Sequence, residues 1–246
     1  MTKWLWLPQP RPAALLRLYC LAHAGAGANV FATWGRTAPD ELEIAAIQLP
    51  GRETRVDEEP LRTLASAAEL IAEVIASNDK RPFALFGHSL GGKLAVRVAL
   101  LLEKTDHRPI HLFVSGASAA TIPQDKWLHK LDDDQFVRSV ANRFGGLPTQ
   151  ITDDQKIWSL FERPLRADLE ASETDTLTPH PLGVPLTVIT GARDTVVYGK
   201  ELSWQPWSNQ LVHYERIDAD HFSYRTEPRL YLEVIARHMF IQWQAC

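Results

Sequence analysis

A chain of 246 residues, 45% hydrophobic and 23% charged, has the make-up of one large globular domain or of a domain carrying an insertion. Its 13 glycines and 16 prolines are ordinary usage, which excludes collagen-like and low-complexity readings, and no apolar run approaches the roughly 20 residues a membrane span needs. The formal net charge of -4 argues against a nucleic-acid binder, which shows a basic stripe.

In chain order, Lys3 and the apolar patch Trp4 to Leu7 run into Pro8, Pro10 and Pro12, which makes no signal peptide and points to the cytoplasm. Leu15 to Leu21 reads as a strand, His23-Ala-Gly-Ala-Gly27 as a loop and Val30 to Thr37 as a helix start. Glu43 to Leu49 is the next strand, closed by Pro50-Gly51. Leu64 to Ser77 then carries Leu64, Ala67, Ala68, Ile71, Val74 and Ile75 at helical spacing. Phe83 to Phe86 reads as a buried strand, Gly87 to Gly91 as a turn and Gly92 to Glu103 as a helix. His111 to Ser115 is a fourth strand, running into Gly116 to Ala120. Strand, turn and helix in repeated succession predict an α/β fold with a mostly parallel central sheet flanked by helices.

From Pro123 to Pro181 the pattern changes. No strand is evident, and helices start after Asp132 and after Thr152, with Phe136, Val140 and Phe144 on one stripe and Ile157, Leu160 and Phe161 on another. Residues 120–184 therefore read as an inserted helical segment, and 1–119 with 185–246 as the core. The insertion carries seven Lys/Arg and eleven Asp/Glu, so all the excess negative charge lies in it, which reads as a solvated helical face. Strands resume at Val184 to Thr190 and at Leu211 to Ile217, and Pro228 to Trp243 forms a terminal helix. Cys20 and Cys246 offer neither a disulfide framework nor metal-ligand spacing.

The chemistry centres on Gly87-His88-Ser89-Leu90-Gly91, a G-x-S-x-G motif between a predicted strand and a predicted helix, as a nucleophile elbow requires. In a chain of this composition the motif arises by chance roughly 0.03 times. A serine hydroxyl is a poor nucleophile at neutral pH and needs a base oriented by a carboxylate, in the chain order Ser, Asp, His. Asp194 follows the strand Leu186 to Thr190 and is the predicted acid. His221, in the loop before the terminal helix, is the predicted base. Asp218 and Asp220 are rival carboxylates, lying too near His221 in sequence to reach its Nδ1 from a separate strand. His88 is expected to point away and support the turn, while His180, His213 and His238 read as surface or core residues. An oxyanion needs two donors, predicted to be the amide of Leu90 at the helix start and that of Ala24 in the first loop, with Gly25 as the neighbouring alternative. That loop lacks the third glycine of G-x-G-x-x-G and the lysine of a P-loop, so a phosphate cradle is disfavoured.

With these residues placed, the chain resembles the type II (external) thioesterases that accompany nonribosomal peptide and polyketide synthases, members of the α/β-hydrolase superfamily. The resemblance spans nearly the whole length. It rests on Ala22-His-Ala-Gly-Ala-Gly27, on Gln48-Leu-Pro-Gly-Arg-Glu53 with Glu59-Pro60, and on Pro164-Leu-Arg-Ala-Asp168 with Glu173. Departures from the family pattern are Ala26 for a glycine, Asp175 for an aromatic, and Ala219-Asp220-His221-Phe222-Ser223 around the base. Arg52 and Arg166 read as structural ion-pairing residues. The resemblance implies hydrolysis of acyl groups from the phosphopantetheine arm of acyl or peptidyl carrier proteins, met transiently, with the insertion as a lid. It also implies no metal and no cofactor belonging to the enzyme itself. Three other readings remain: a small-molecule carboxylesterase with the same catalytic residues, a noncatalytic interaction protein on a hydrolase scaffold, and a product-releasing cyclising thioesterase, which is usually fused to its synthase.

Overall fold

Strands buried along their whole length are what a parallel sheet covered on both faces demands, and the runs LRLYCL, LEIAAI, FALFGH and HLFVS meet that demand at every position. A computed structural model describes residues 3–78, 80–119, 122–144, 154–176, 178–197 and 199–244; Ala120, Thr152 and Cys246 of the sequence reading lie outside them. The strands are β1 (Leu5–Trp6), β2 (Leu16–Leu21), β3 (Leu42–Ile47), β4 (Phe83–His88), β5 (His111–Ser115), β6 (Leu186–Gly191) and β7 (Val212–Ile217). They form one sheet in the order β1-β3-β2-β4-β5-β6-β7, parallel except for the antiparallel pair of β1 with β3. The helices are α1 (Ala32–Thr37), α2 (Leu64–Ala76), α3 (Leu90–Leu102), α4 (Asp133–Phe144), α5 (Gln155–Glu173), α6 (Ser223–Thr226) and α7 (Pro228–Gln244).

Side chains alternate across the sheet with period two. Tyr19, Leu21, Leu85, Leu112 and Val114 pack under α2 and α3, whereas Leu18, Cys20, Ala84, Phe86 and Phe113 pack under α1 and α7. Thr63 caps α2, its hydroxyl accepting from the Ser66 amide, and Asp154 caps α5 by accepting from the amides of Lys156 and Ile157. Between β5 and β6 the described residues form no strand. There α4 and α5 share an apolar cluster of Leu128, Phe136, Val140, Trp158, Leu165 and Leu169. None of the described helices is long and apolar enough to cross a membrane.

Three expectations shift. The two-residue β1 lies within what reads only as an apolar patch, because its pairing partner β3 is distant in sequence. The segment Glu201–Trp207 forms a 3-10 turn that buries Trp204 and Trp207, a role its pattern does not advertise around Pro206. The turn predicted over Gly87 to Gly91 contracts to Ser89 alone, since β4 runs to His88 and α3 begins at Leu90.

Candidate active site

Because β2, β4, β6 and β7 are parallel, the loops leaving their C-terminal ends converge on one edge of the sheet. These loops carry His23 to Gly27, Ser89, Asp194 and His221 respectively. Ser89 joins strand to helix at φ 56°, ψ -115°, a strained conformation for any residue but glycine. The turn closes this tightly because its flanks have no side chains. A Cβ on Gly87 would stand 2.0 Å from the Gly91 carbonyl oxygen, and one on Gly91 would stand 2.2 Å from that of Leu21. The Ser89 amide donates to the Ser115 carbonyl at 2.8 Å, and the Leu90 amide opens α3, where no intrahelical acceptor exists for it.

Asp194 lies in the turn after β6, its own amide donating to the Gly191 carbonyl and its Oδ1 accepting from the Val196 amide. Its other oxygen, Oδ2, accepts from His221 Nδ1 at 2.8 Å, and both side chains are buried. With Nδ1 committed as donor, Nε2 is the basic nitrogen. It is buried and has no hydrogen-bond partner among the described residues. The rival carboxylates are engaged elsewhere: Asp218 is exposed and pairs with Arg193, and Asp220 Oδ1 accepts from the Phe222 amide. His88 corrects the expectation in part. Its Nδ1 meets Ser115 Oγ at 3.1 Å, which supports the turn, yet its ring does not point away: it lies 4.9 Å from that of His221 and stacks on Tyr224 at 4.2 Å. Burial pushes the His88 pKa well down, so this ring is neutral beside the base.

The loop after β2 is a tight turn. The Ala26 amide donates to the His23 carbonyl at 3.1 Å, and Gly25 takes φ 79° at the third position, as a type II turn requires. His23 Nδ1 lies 2.5 Å from the Tyr224 hydroxyl, and burial lowers the His23 pKa to about 3. The Gly25 amide donates to Asp168 Oδ2 at 2.7 Å. Gly25 is therefore already committed and is excluded as an oxyanion donor, while the Ala24 amide donates to no acceptor among the described residues. Asp168 also forms a buried two-pronged ion pair with Arg52, with 3.0 Å between Nη2 and Oδ1. Arg166 pairs with Glu162 and Asp133 and donates to the carbonyls of His129 and Leu131, so both arginines are engaged within the protein. Glu173 accepts from the amides of Leu128 and His129, and Asp175 pairs with Arg97. Tyr224 and the Asp168–Gly25 bond escape a reading of the sequence, since each acts across more than a hundred residues.

A mostly parallel sheet, a strained serine between strand and helix, and an Asp–His pair on the same edge define a hydrolase of the α/β-hydrolase fold. Residues 16–241 match the thioesterase-domain family, and the chain belongs to that family. It is 34% identical over 226 residues to the gramicidin S biosynthesis protein GrsT of Aneurinibacillus migulanus, covering 90% of this chain and 88% of that one. It is also 34% identical to the medium-chain S-acyl fatty acid synthase thioesterase of Rattus norvegicus, over 86% of this chain and 82% of that one. Among solved structures it is similar to YbtT, described as the type II thioesterase from the yersiniabactin NRPS/PKS biosynthetic pathway. The TM-score is 0.87 at 27% identity, covering 97% of this chain and 99% of that one.

Proposed function

We propose that this chain is an editing, type II thioesterase that frees acyl groups from the phosphopantetheine arm of acyl or peptidyl carrier proteins in secondary-metabolite biosynthesis. The observation that carries the chemistry is the 2.8 Å hydrogen bond from His221 Nδ1 to Asp194 Oδ2, which leaves Nε2 as the basic nitrogen of a ring 4.9 Å from that of His88, the neighbour of Ser89. The likeness to GrsT and YbtT supports the substrate class.

In this reading Ser89 Oγ attacks the thioester carbonyl carbon as its proton passes to His221 Nε2. The amides of Ala24 and Leu90 receive the oxyanion. The C–S bond then breaks, and the departing sulfur takes the proton from His221. A thiol of pKa about 8.5 leaves readily, so the base has less to do than in amide cleavage. Water next gives its proton to His221 and attacks the acyl-serine, which releases the acid and restores Ser89. No metal or cofactor of the enzyme enters, because the prosthetic arm belongs to the partner. Residues 120–184 act as the lid over a core of 1–119 and 185–246, with the arm entering beneath it. Carrier docking is transient, as suits an enzyme that samples many carriers in the cytoplasm.

The test compares one acyl group presented on a carrier protein, on coenzyme A and as a simple ester. A higher kcat/KM on the carrier than on both others is expected. Equal rates on all three, or a preference for the ester, would favour a carboxylesterase.

A further inference from the structure

The donor loop is held from two sides, and one of the holders belongs to the inserted segment. Phe161, Leu165 and Asp168 fall at i, i+4 and i+7 of α5 and so share one face of that helix. All three meet Gly25: a Cβ there would stand 3.2 Å from Leu165 Cβ and 3.4 Å from Phe161 Cε2, and the Gly25 amide donates to Asp168 Oδ2. That amide belongs to the central peptide of the turn, between Ala24 and Gly25. Fixing it fixes ψ at Ala24. The preceding peptide carries the Ala24 N–H, and it is fixed in turn by its own carbonyl, which accepts from Ala26. Arg52 holds both oxygens of the Asp168 carboxylate, its Nη1 donating to the same Oδ2 that accepts from Gly25 and also to the Ala26 carbonyl at 3.3 Å. The motif pairing Arg52 with Asp168 thus ends on the donor loop rather than in a remote brace.

We infer that Asp168, held by Arg52, is a positioning residue for the oxyanion site: it aims the Ala24 amide through the Gly25 peptide. The inference rests on the serine-hydrolase reading of Ser89 and Ala24. What it needs from residue 168 is an acceptor for the Gly25 N–H, not a charge. Asparagine supplies the acceptor without the ion pair; alanine supplies neither.

The experiment compares Arg52→Met/Asp168→Asn with Arg52→Met/Asp168→Ala, a background in which no buried cation is stranded. The probe is an n-hexyl trifluoromethyl ketone against the corresponding carbinol. Ser89 Oγ adds to the ketone carbon, its proton goes to His221, and the ketone oxygen becomes an oxyanion that draws on the donors; the carbinol forms no such adduct. The asparagine variant is expected to keep the ketone-over-carbinol affinity ratio within about threefold of wild type. The alanine variant is expected to lose about 10- to 100-fold in that ratio and in kcat, with KM for an acyl-pantetheine thioester within about threefold. Both variants should melt below wild type. Arg166→Ala, which loosens α5 without touching the acceptor of Gly25, should keep the ratio. Equal loss in the asparagine and alanine variants, retention in both, or a matching loss in Arg166→Ala would overturn the inference. If the Arg52→Met background fails to fold, the Asp168→Asn and Asp168→Ala pair with Arg52 retained reads the same ratio. The ratio needs no turnover, so a wild type inactive on acyl-carrier protein would sink the thioesterase reading while leaving this one decidable.

Discussion

Ser89 is held at φ 56°, a conformation that costs on the order of 1–3 kcal/mol in an ordinary side chain and persists because the sheet, α3 and the Ser115 carbonyl over-determine it. Ser89→Ala keeps the backbone and removes only the nucleophile. Turnover of a thioester should fall at least about a thousandfold with the melting temperature little changed, and labelling by a fluorophosphonate should disappear. A variant that still labels would place the nucleophile elsewhere. The carboxylates separate as cleanly. Asp194→Asn leaves the imidazole in place but removes the partner that fixes its tautomer, so kcat should fall by about a hundredfold or more. Asp218 faces solvent and pairs with Arg193, so Asp218→Asn should stay within about twofold of wild type. Steady-state kinetics on one acyl-pantetheine substrate measures both, and the reverse ranking would reassign the acid.

At the scale of elements, the close approach of α3 to the end of β2 depends on Gly91. A Cβ there would meet the backbone carbonyls of Leu21 at 2.2 Å and Ala22 at 2.7 Å, and carbonyls at a sheet edge cannot yield as a side-chain tip can. Gly91→Ala should cost at least about 3 kcal/mol in urea unfolding. Gly199→Ala is the contrast: it meets no atom of the described residues within 4 Å and bears the strain of φ 74°, about 1–2 kcal/mol. Similar losses for the two would mean that crowding at Gly91 is relieved by a shift of the helix. The elbow was legible in sequence because its signal is local, five residues flanked by a buried run and a helical period. The pairing of Asp194 with His221 was legible because strand ends in a parallel sheet share an edge. What stayed hidden depends on distant partners. Two residues are too few to announce β1 without β3 beside them, nothing near Tyr224 announces its contacts with His23 and His88, and nothing around Asp168 points to the Gly25 amide 143 positions earlier.

For the molecule as a whole, burial of neutral histidines sets the response to acid. Burial lowers the pKa of His23 and of His111 to about 3, and that of His88 well below its usual value. The unfolded chain takes up these protons near pH 6.5, whereas the folded chain refuses them until far lower. The stability they support is therefore fully present above about pH 6.5 and is lost as pH falls toward about 3. Urea midpoints should drop between about pH 7 and about pH 5. His111→Phe should reduce that slope by about one proton. His111 lies at the start of β5, its Nε2 2.8 Å from Thr187 Oγ1, at the far end of that strand from the catalytic edge, so the change should leave kcat untouched. An unchanged slope would show that His111 is protonated in the folded protein. The central claim, that this scaffold empties carrier proteins through Ser89, is met most directly by the intact mass of an acyl-phosphopantetheinyl carrier protein after incubation with the chain. The wild type should return the carrier to its free-thiol mass, and Ser89→Ala should leave it acylated. A carrier that stays acylated with the wild type, or is emptied equally by the variant, would contradict it.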